Sequence, residues 1–431
     1  MFDVIIIGGG AAGFYAAVHL AEINPDLEIA ILERGKEVLK KVRISGGGRC
    51  NVTNSETDPS ALTRNYPRGA KELLGPLYTH GTQDTMQFFI DRGVPLKVED
   101  DGRVFPVSNS SQTIVDFFLN EIVRLGIQVF RQSSVVAIEA MPEEDSGTKW
   151  KITTVKNHYF CKKVLVAAGS NPKVWKLLEN LGHTIVPPVP SLFTFNITDE
   201  RIKGIQGVST PARVEVLPKH TYRPEITLNL KSKGKEKTLY SAEGPLLVTH
   251  WGLSGPVILR LSAWGALTLH DYNYRFPIRV NWLPEYHQSS VLALLMEVKE
   301  VEAKKTVLRT KVVEIPRRLW TNLVKASGIA KDERWADVTK EQLQNLSAQL
   351  TNGRFLVEGK STFKDEFVTA GGLDLKEINF KTYESKIHKN LYFAGEIINV
   401  DAITGGFNFQ NAWTSSYIAA QAIATELTKE K

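Results

Sequence analysis

Val4-Ile5-Ile6-Ile7-Gly8-Gly9-Gly10-Ala11-Ala12-Gly13-Phe14-Tyr15-Ala16-Ala17 decides the fold. The β-branched run Val4 to Ile7 suits a central parallel strand buried on both faces. Gly8, Gly10 and Gly13 set the spacing GxGxxG, and Ala16, Ala17 and Leu20 continue at helical intervals. In such a strand–turn–helix the first glycine allows the tight turn and the second lets a pyrophosphate approach the backbone. The third lets helix and strand pack closely. The helix start, at Ala11 and Ala12, offers phosphates unpaired N–H groups and the positive end of the helix dipole.

Working outward, Glu28 to Leu32 is a second buried strand, and Glu33 ends it 20 residues after Gly13. A carboxylate there accepts the ribose hydroxyls of an adenosine and repels a 2′-phosphate. Strand, glycine turn, helix, strand and acid in this order make a βαβ dinucleotide-binding unit. Two further strands carry the same buried, glycine-terminated form. Val164 to Ala167 ends in Ala168-Gly169, and Asn390 to Ala394 ends in Gly395.

The 431 residues are 42% hydrophobic and 23% charged, enough for about two to four domains without disulfide or metal support. Lys and Arg number 53 against 47 Asp and Glu, a net charge of +6. That balance favours anionic ligands and argues against a charge-driven nucleic-acid binder. Cys50 and Cys161 form no CxxC pair, which excludes a disulfide framework, a four-thiolate zinc site and a dithiol redox centre. The nine histidines show no i, i+3 or i+4 spacing, so no metal site is expected. Glycines interrupt the apolar N-terminal run and no basic leader precedes it, so neither a signal peptide nor a membrane span is expected. A cytoplasmic protein without membrane contact is the expectation.

The middle of the chain changes period. Arg213 to Val216, Glu225 to Leu230 and Arg275 to Trp282 alternate with period two, as half-exposed antiparallel strands do. From Ser289 to Leu350 the period is helical, with Thr339 and Gln342 spaced as a capping box and Asn352-Gly353 as a turn signal. The expected organisation is an α/β cofactor domain of residues 1–189 and 364–431. A β-barrel insert of 190–287 and 351–363 interrupts it and itself carries a helical subdomain, 288–350.

The cofactor reads as FAD rather than NAD. The fingerprint opens the chain and the same domain resumes only near its end, which suits a long flavin arm held by residues remote in sequence. Ser45-Gly46-Gly47-Gly48-Arg49-Cys50-Asn51 is a second glycine-rich turn, where bare backbone can lie against a flat ring or a phosphate. Gly395-Glu396, Asp401 and Thr404-Gly405-Gly406-Phe407-Asn408 form a third, ahead of a helix expected from about Gln410 to Leu427. N–H groups at Gly406 to Asn408 can stabilise negative charge on a reduced flavin, and Asp401 suits a hydroxyl of its sugar-alcohol arm. Alternatively Gly405-Gly406 is a plain strand-to-helix turn with Asn408 as its cap. Arg34, Lys41 and Val136 complete the expected cofactor-binding set.

Lys41 through Asn54 (KVRISGGGRCNVTN) resembles the signature of a bacterial flavoprotein family described as BaiN-like, aminoacetone oxidase-like or NAD(FAD)-utilising dehydrogenases. Gly102 to Ser108, Thr249 to Pro256, Val368 to Leu373 and Leu391 to Asn408 match it in order along almost the whole chain. The resemblance implies a Rossmann-like, glutathione-reductase-type FAD domain interrupted by a small β-barrel with a helical insert. It also implies substrates among amines, aminoketones or steroid-like molecules. Two departures stand out. Ser170 to Trp175 replaces the family's glycine-rich stretch after Gly169, and Ile398-Asn399-Val400-Asp401 replaces a more usual leucine–aspartate pair ahead of the second acid.

No side chain is marked as an obligatory catalyst, because a flavin carries the chemistry itself. Cys50 is either a reactive thiol or a small residue packed in a glycine turn. His250, before Trp251, is either a proton donor or a histidine satisfied within the barrel. Arg103, with Phe105 and Arg49, either orients a substrate or packs. The alternating Lys231, Lys233, Lys235 and Lys237 suit a solvated hairpin edge, and Lys304, Lys305, Arg309, Lys311, Arg317 and Arg318 a solvated helix face. The expected activity is an FAD-dependent oxidoreductase passing a hydride through flavin N5 between a small organic substrate and NAD(P)H or O2. NAD(P)H would be a transient co-substrate, since no second fingerprint exists. The alternatives are an RNA-associated flavoprotein of tRNA-modification type and a flavin-bearing scaffold without turnover.

Overall fold

A computed structural model describes residues 1–142, 149–221, 237–362 and 368–429. The chain divides into two compact units, one of Met1–Pro190 with Lys364–Lys431 and one of Ser191–Phe363.

The first unit is a mixed α/β body of Rossmann type. Its centre is β1 (Phe2–Ile7), followed by α1 (Ala11–Ile23), β2 (Ile29–Leu32) and α2 (Lys40–Gly48). Then come β3 (Gln128–Phe130), β4 (His158–Val166), β5 (Leu391–Phe393) and the long final helix α3 (Phe407–Lys429). Among the described residues the sheet has nine strands, and its parallel part runs β3-β2-β1-β4-β5. Val4 lies opposite Ile29, Ile5 opposite Val164, and Leu391 opposite Val164 on its other side. Val4, Ile5 and Ile6 are wholly buried, so both faces of the strand are covered and it reads as an unbroken apolar run. The antiparallel hairpin Val135–Ala140 and Trp150–Thr154 leads into β4, with Trp150 opposite Cys161.

Helix α1 is buried from Ala12 to Ala21, without the polar stripe of a surface helix. Helix α3 lies along it, and Ser416 Oγ donates to the Ala12 carbonyl at 2.8 Å. On the same helix Ser415 Oγ accepts the Gly395 N–H at 2.9 Å, and Trp413 Nε1 donates to Val52 O at 2.8 Å. Three glycine-rich segments remote in sequence are thereby anchored to one helix pair. Helix α3 begins at Phe407, three residues earlier than its periodicity suggests, so Phe407 and Asn408 belong to its first turn.

The second unit holds a seven-stranded sheet among its described residues, ordered Gly353–Val357, Phe276–Asn281, Ser209–Val216, Tyr240–Val248, Gly252–Ser254, Thr194–Asn196 and Gly359–Ser361. Among the described residues the ladder runs as a single path, and Glu358 alone separates its two end strands, Gly353–Val357 and Gly359–Ser361, in the sequence. The periodicity reading missed the helix Pro256–Asp271, whose buried residues, among them Val257, Leu261, Gly265 and Leu269, fall on one face while Trp264 and Leu267 are exposed on the other. Gln288–Val301, Arg317–Ala326 and Lys340–Thr351 are helices, and Thr339 Oγ1 and Gln342 form the capping box that starts the last. These helices do not form a core of their own. Val291, Leu295, Leu323 and Leu346 share one apolar cluster with Val214, Ile278 and Phe355 of the sheet. The strand expected over Glu225 to Leu230, and Lys231, Lys233 and Lys235, lie outside the described residues. Among the described residues no helix is long and apolar enough to cross a membrane.

Candidate functional site

The turn after β1 brings helix and strand into backbone contact and leaves open space at its centre. Gly8 has φ +121°, and a Cβ there would sit 2.3 Å from the Ala167 carbonyl oxygen. A Cβ on Gly13 would sit 2.0 Å from Gly8 O, so helix and strand touch backbone to backbone. At Gly10 a Cβ would meet nothing within 4 Å. The gap lies in front of the first amides of α1, Ala11 to Gly13, which have no partner within the helix. A pyrophosphate is the group that such a gap and donor set fit.

Glu33 stands beside this turn and is held in place by backbone. Its Oε2 accepts the Gly9 N–H at 2.9 Å and its Oε1 the Gly35 N–H at 2.6 Å. Each oxygen retains a second lone pair for a ribose hydroxyl. Ser133 N donates to Glu33 O and Gln132 N to Gly35 O, contacts that no local pattern announced. Arg34 is exposed, and Val136 is an exposed strand position at 48%.

The second glycine turn ends α2. Gly46 and Gly47 are left-handed, with φ +58° and +67°, and Cys50 follows at +61°. A Cβ on Gly47 or Gly48 would meet nothing within 4 Å, so this backbone too faces open space. Cys50 is wholly buried. Burial pushes its thiol up to about 12, against the lowering effect of a hydrogen bond with Ser45. Burial of this kind favours the packed-residue reading of Cys50 over the reactive thiol. Arg49 lies over the Phe105 ring, 3.9 Å from its centroid, and pairs with Glu99 at 2.6 Å. Arg103 pairs with Asp101 at 2.7 Å and Glu99 at 3.2 Å. Both guanidiniums are engaged by carboxylates, which argues for local structure over substrate orientation. The Asn51 side chain is partly buried beside Gly46.

The third turn joins the other two. Lys41 Nζ meets Glu396 Oε2 at 2.6 Å and reaches Ser170 Oγ at 3.4 Å. Gly169 lies against the same carboxylate, where a Cβ would be 3.7 Å from Oε2. Ala168 and Gly395 flank this contact at the ends of β4 and β5. Gly406 has φ +91°, and a Cβ there would collide with Thr53 O at 2.3 Å. Asn54 Nδ2 donates to Gly405 O at 3.0 Å, which pins the loop from the other side. Asn408 accepts the Ala402 N–H at 3.0 Å and donates to Ala402 O at 3.1 Å. Its side chain therefore closes the loop, and its contribution to a ligand is limited to backbone. Phe407 is buried with Tyr66 OH on its carbonyl at 2.7 Å.

Asp401 departs from its reading. It is 1% exposed and forms a forked ion pair with Arg68, Nε to Oδ1 and Nη2 to Oδ2. A guanidinium, rather than an open ligand position, is what its carboxylate faces. Arg68 was not singled out in the sequence; the one signal was the turn Tyr66-Pro67-Arg68-Gly69. In the second unit His250 is exposed on the turn between Thr249 and Gly252, so it is not satisfied within the sheet. Among the described residues no group of three or more His, Cys, Asp or Glu is placed to hold a metal ion.

A family model described as HI0933-like protein Rossmann domain matches residues 2–422. A Haemophilus influenzae protein named ribosomal RNA dihydrouridine synthase is 28% identical over 98% of each chain. A Clostridium scindens protein named 3-dehydro-bile acid delta(4,6)-reductase is 26% identical over 97% of this chain and 98% of its own. Among solved structures, 3-ketosteroid-delta4-(5alpha)-dehydrogenase from Rhodococcus jostii RHA1 aligns with a TM-score of 0.50 at 10% identity. It covers 98% of this chain and 96% of its own, a likeness of fold.

Proposed function

The chain belongs to the HI0933-like Rossmann family of FAD-dependent oxidoreductases, and from that premise we propose that it is a reductase of carbon–carbon double bonds conjugated to a carbonyl. One observation carries the reading: two relatives of different substrate, each matched along nearly its whole length, are named for the same kind of bond change. Dihydrouridine is uridine with its ring C=C saturated, and a delta(4,6)-reductase of a 3-ketone saturates bonds in conjugation with that ketone. Bound FAD, once reduced by NAD(P)H, would supply a hydride at N5 for such an addition, and a proton from solvent would complete the saturation.

The chain's own residues bind and polarise. The first amides of α1 and the Glu33 carboxylate hold the adenosine diphosphate end. The amides of Gly47 and Gly48, with Lys41 and Glu396, border the arm. The N-terminus of α3, at Gly406 to Asn408, stabilises the negative charge that reduction places on the ring. NAD(P)H is the proposed electron source.

Anaerobic rapid mixing of FAD-loaded protein with NADH or NADPH tests this reading through bleaching of the oxidised-flavin absorbance. Reoxidation by an enone, and not by a saturated ketone, is the expected second half. A flavin that neither nicotinamide reduces sinks the reductase and favours an oxidase fed by an amine or similar donor.

A second reading places the double bond in a uracil of RNA, and the Haemophilus influenzae relative favours it. The basic residues of the second unit give it little support, since Lys305 pairs with Glu302 and Lys311 with Glu314, each at 2.7 Å. Uridine-containing ribosomal RNA, offered beside a 4-en-3-one steroid as electron acceptor, separates the two readings.

A further inference from the structure

We propose that Arg68 is a positioning residue that offsets the charge of the Asp401 carboxylate beside the flavin ring and so sets the flavin's reduction potential. The proposal rests on the placement of the ring at Gly405 to Asn408.

Five residues, Asn65 to Gly69, grip the loop that leads into α3. Asn65 O accepts the Ile403 N–H at 3.0 Å, and Tyr66 OH donates to Phe407 O at 2.7 Å. Gly69, at φ +81°, packs where a Cβ would strike Val400 Cγ2 at 2.5 Å. Between these contacts Arg68 and Asp401 form an isolated antiparallel bridge, and their side chains close the forked ion pair. The carboxylate is 1% exposed and the Arg68 side chain 13%, so water screens neither charge well.

Electrostatics give the pair a consequence beyond anchoring. Reduction adds negative charge to the ring. A lone buried carboxylate close by opposes that charge, and a lone guanidinium favours it. Paired, the two nearly cancel, which leaves the backbone N–H groups of Gly406 to Asn408 as the field that the ring meets. A planar fork on a planar carboxylate fixes the loop's orientation as well as its charge, and a lysine cannot reproduce it.

The test is the midpoint potential of FAD-loaded protein, measured by equilibration with a reference dye, together with FAD affinity from fluorescence titration. Arg68→Met is expected to shift the potential negative and to weaken FAD binding about tenfold, because it strands a buried charge. Asp401→Asn is expected to shift the potential positive, and the double variant to return it toward the parent value. Arg68→Lys is expected to keep the potential near the parent while still weakening FAD, and it carries the test if Arg68→Met does not fold. A merely structural pair predicts same-direction shifts in both single variants and no recovery in the double; that result, or an unmoved potential in Asp401→Asn, overturns the proposal. A parent protein that binds no FAD overturns the flavin reading itself, which is a different failure.

Discussion

Glu33 Oε2 accepts the Gly9 N–H at 2.9 Å, so the acid that follows the second strand is tied to the glycine turn that opens α1. Its other oxygen takes Gly35 N–H at 2.6 Å. The carboxylate is thus oriented before any ribose arrives. Glu33→Ala leaves two backbone donors without partners, at a cost of about 1–3 kcal/mol. Lower thermal stability of the FAD-free protein, together with weaker FAD binding, is the expected outcome. FAD binding at parental strength would show that the ribose does not use this acid.

Gly10 and Gly13 should respond in opposite ways to an added methyl. Gly10 has φ −98° and open space before it, so Gly10→Ala is expected to fold with an unchanged melting temperature and to lose FAD affinity about tenfold. Gly13→Ala drives a Cβ toward Gly8 O and is expected to yield little folded protein. Melting curves with and without FAD distinguish a binding defect from a packing defect. Equal melting losses in both variants would mean that the space at Gly10 is not a ligand cradle.

Cys50 is expected to be inert. With its thiol pushed up to about 12 by burial, folded protein should not react with a disulfide reagent at pH 8, whereas denatured protein should show both of the chain's cysteines. Burial raises the Cys161 thiol as well. Rapid labelling of Cys50 in the native state would restore it as a redox candidate.

Stability should fall as the solution is acidified below neutrality. Desolvation by burial lowers His19 to about 3 and His80 to about 4, and His80 Nε2 contacts Tyr15 OH at 2.9 Å. A histidine with a lowered folded pKa binds its proton more readily once unfolded. Its stabilising contribution is therefore complete above the ordinary histidine value and is lost as pH falls through the folded values. Glu377 acts in the same direction: hydrogen bonds from His183 and Thr184 outweigh burial and hold its carboxyl below the usual range. Melting temperatures between pH 7 and pH 4 should decline, and His80→Gln should flatten the decline. A parent protein equally stable at both ends contradicts the neutral, buried state of these histidines.

Local patterns were sufficient for the βαβ unit. Each role in GxGxxG depends on neighbours within a few positions, and a strand buried on both faces needs only a short apolar run. The same holds for the Thr339 capping box, a contact between residues three apart. Helix Pro256–Asp271 escaped because the apolar Trp264 and Leu267 on its exposed face blur the periodic signal of the buried one. The strand order of the second unit could not be read, since period-two alternation reports which face is buried and not which strands are neighbours.

The sequence alone determined the Rossmann core, the FAD-type acid at Glu33 and the three glycine turns, because each rests on backbone freedom and on contacts between near neighbours. Tertiary structure decided what those turns do together. Lys41 meets Glu396 across 355 positions and Arg68 meets Asp401 across 333, partnerships with no local signature. It also decided that Cys50 is buried, which raises its thiol, and that the insert's helices share the sheet's core. A charge shows its residue type in the sequence. Its partner and its burial are set only when distant segments are packed onto the same helix pair.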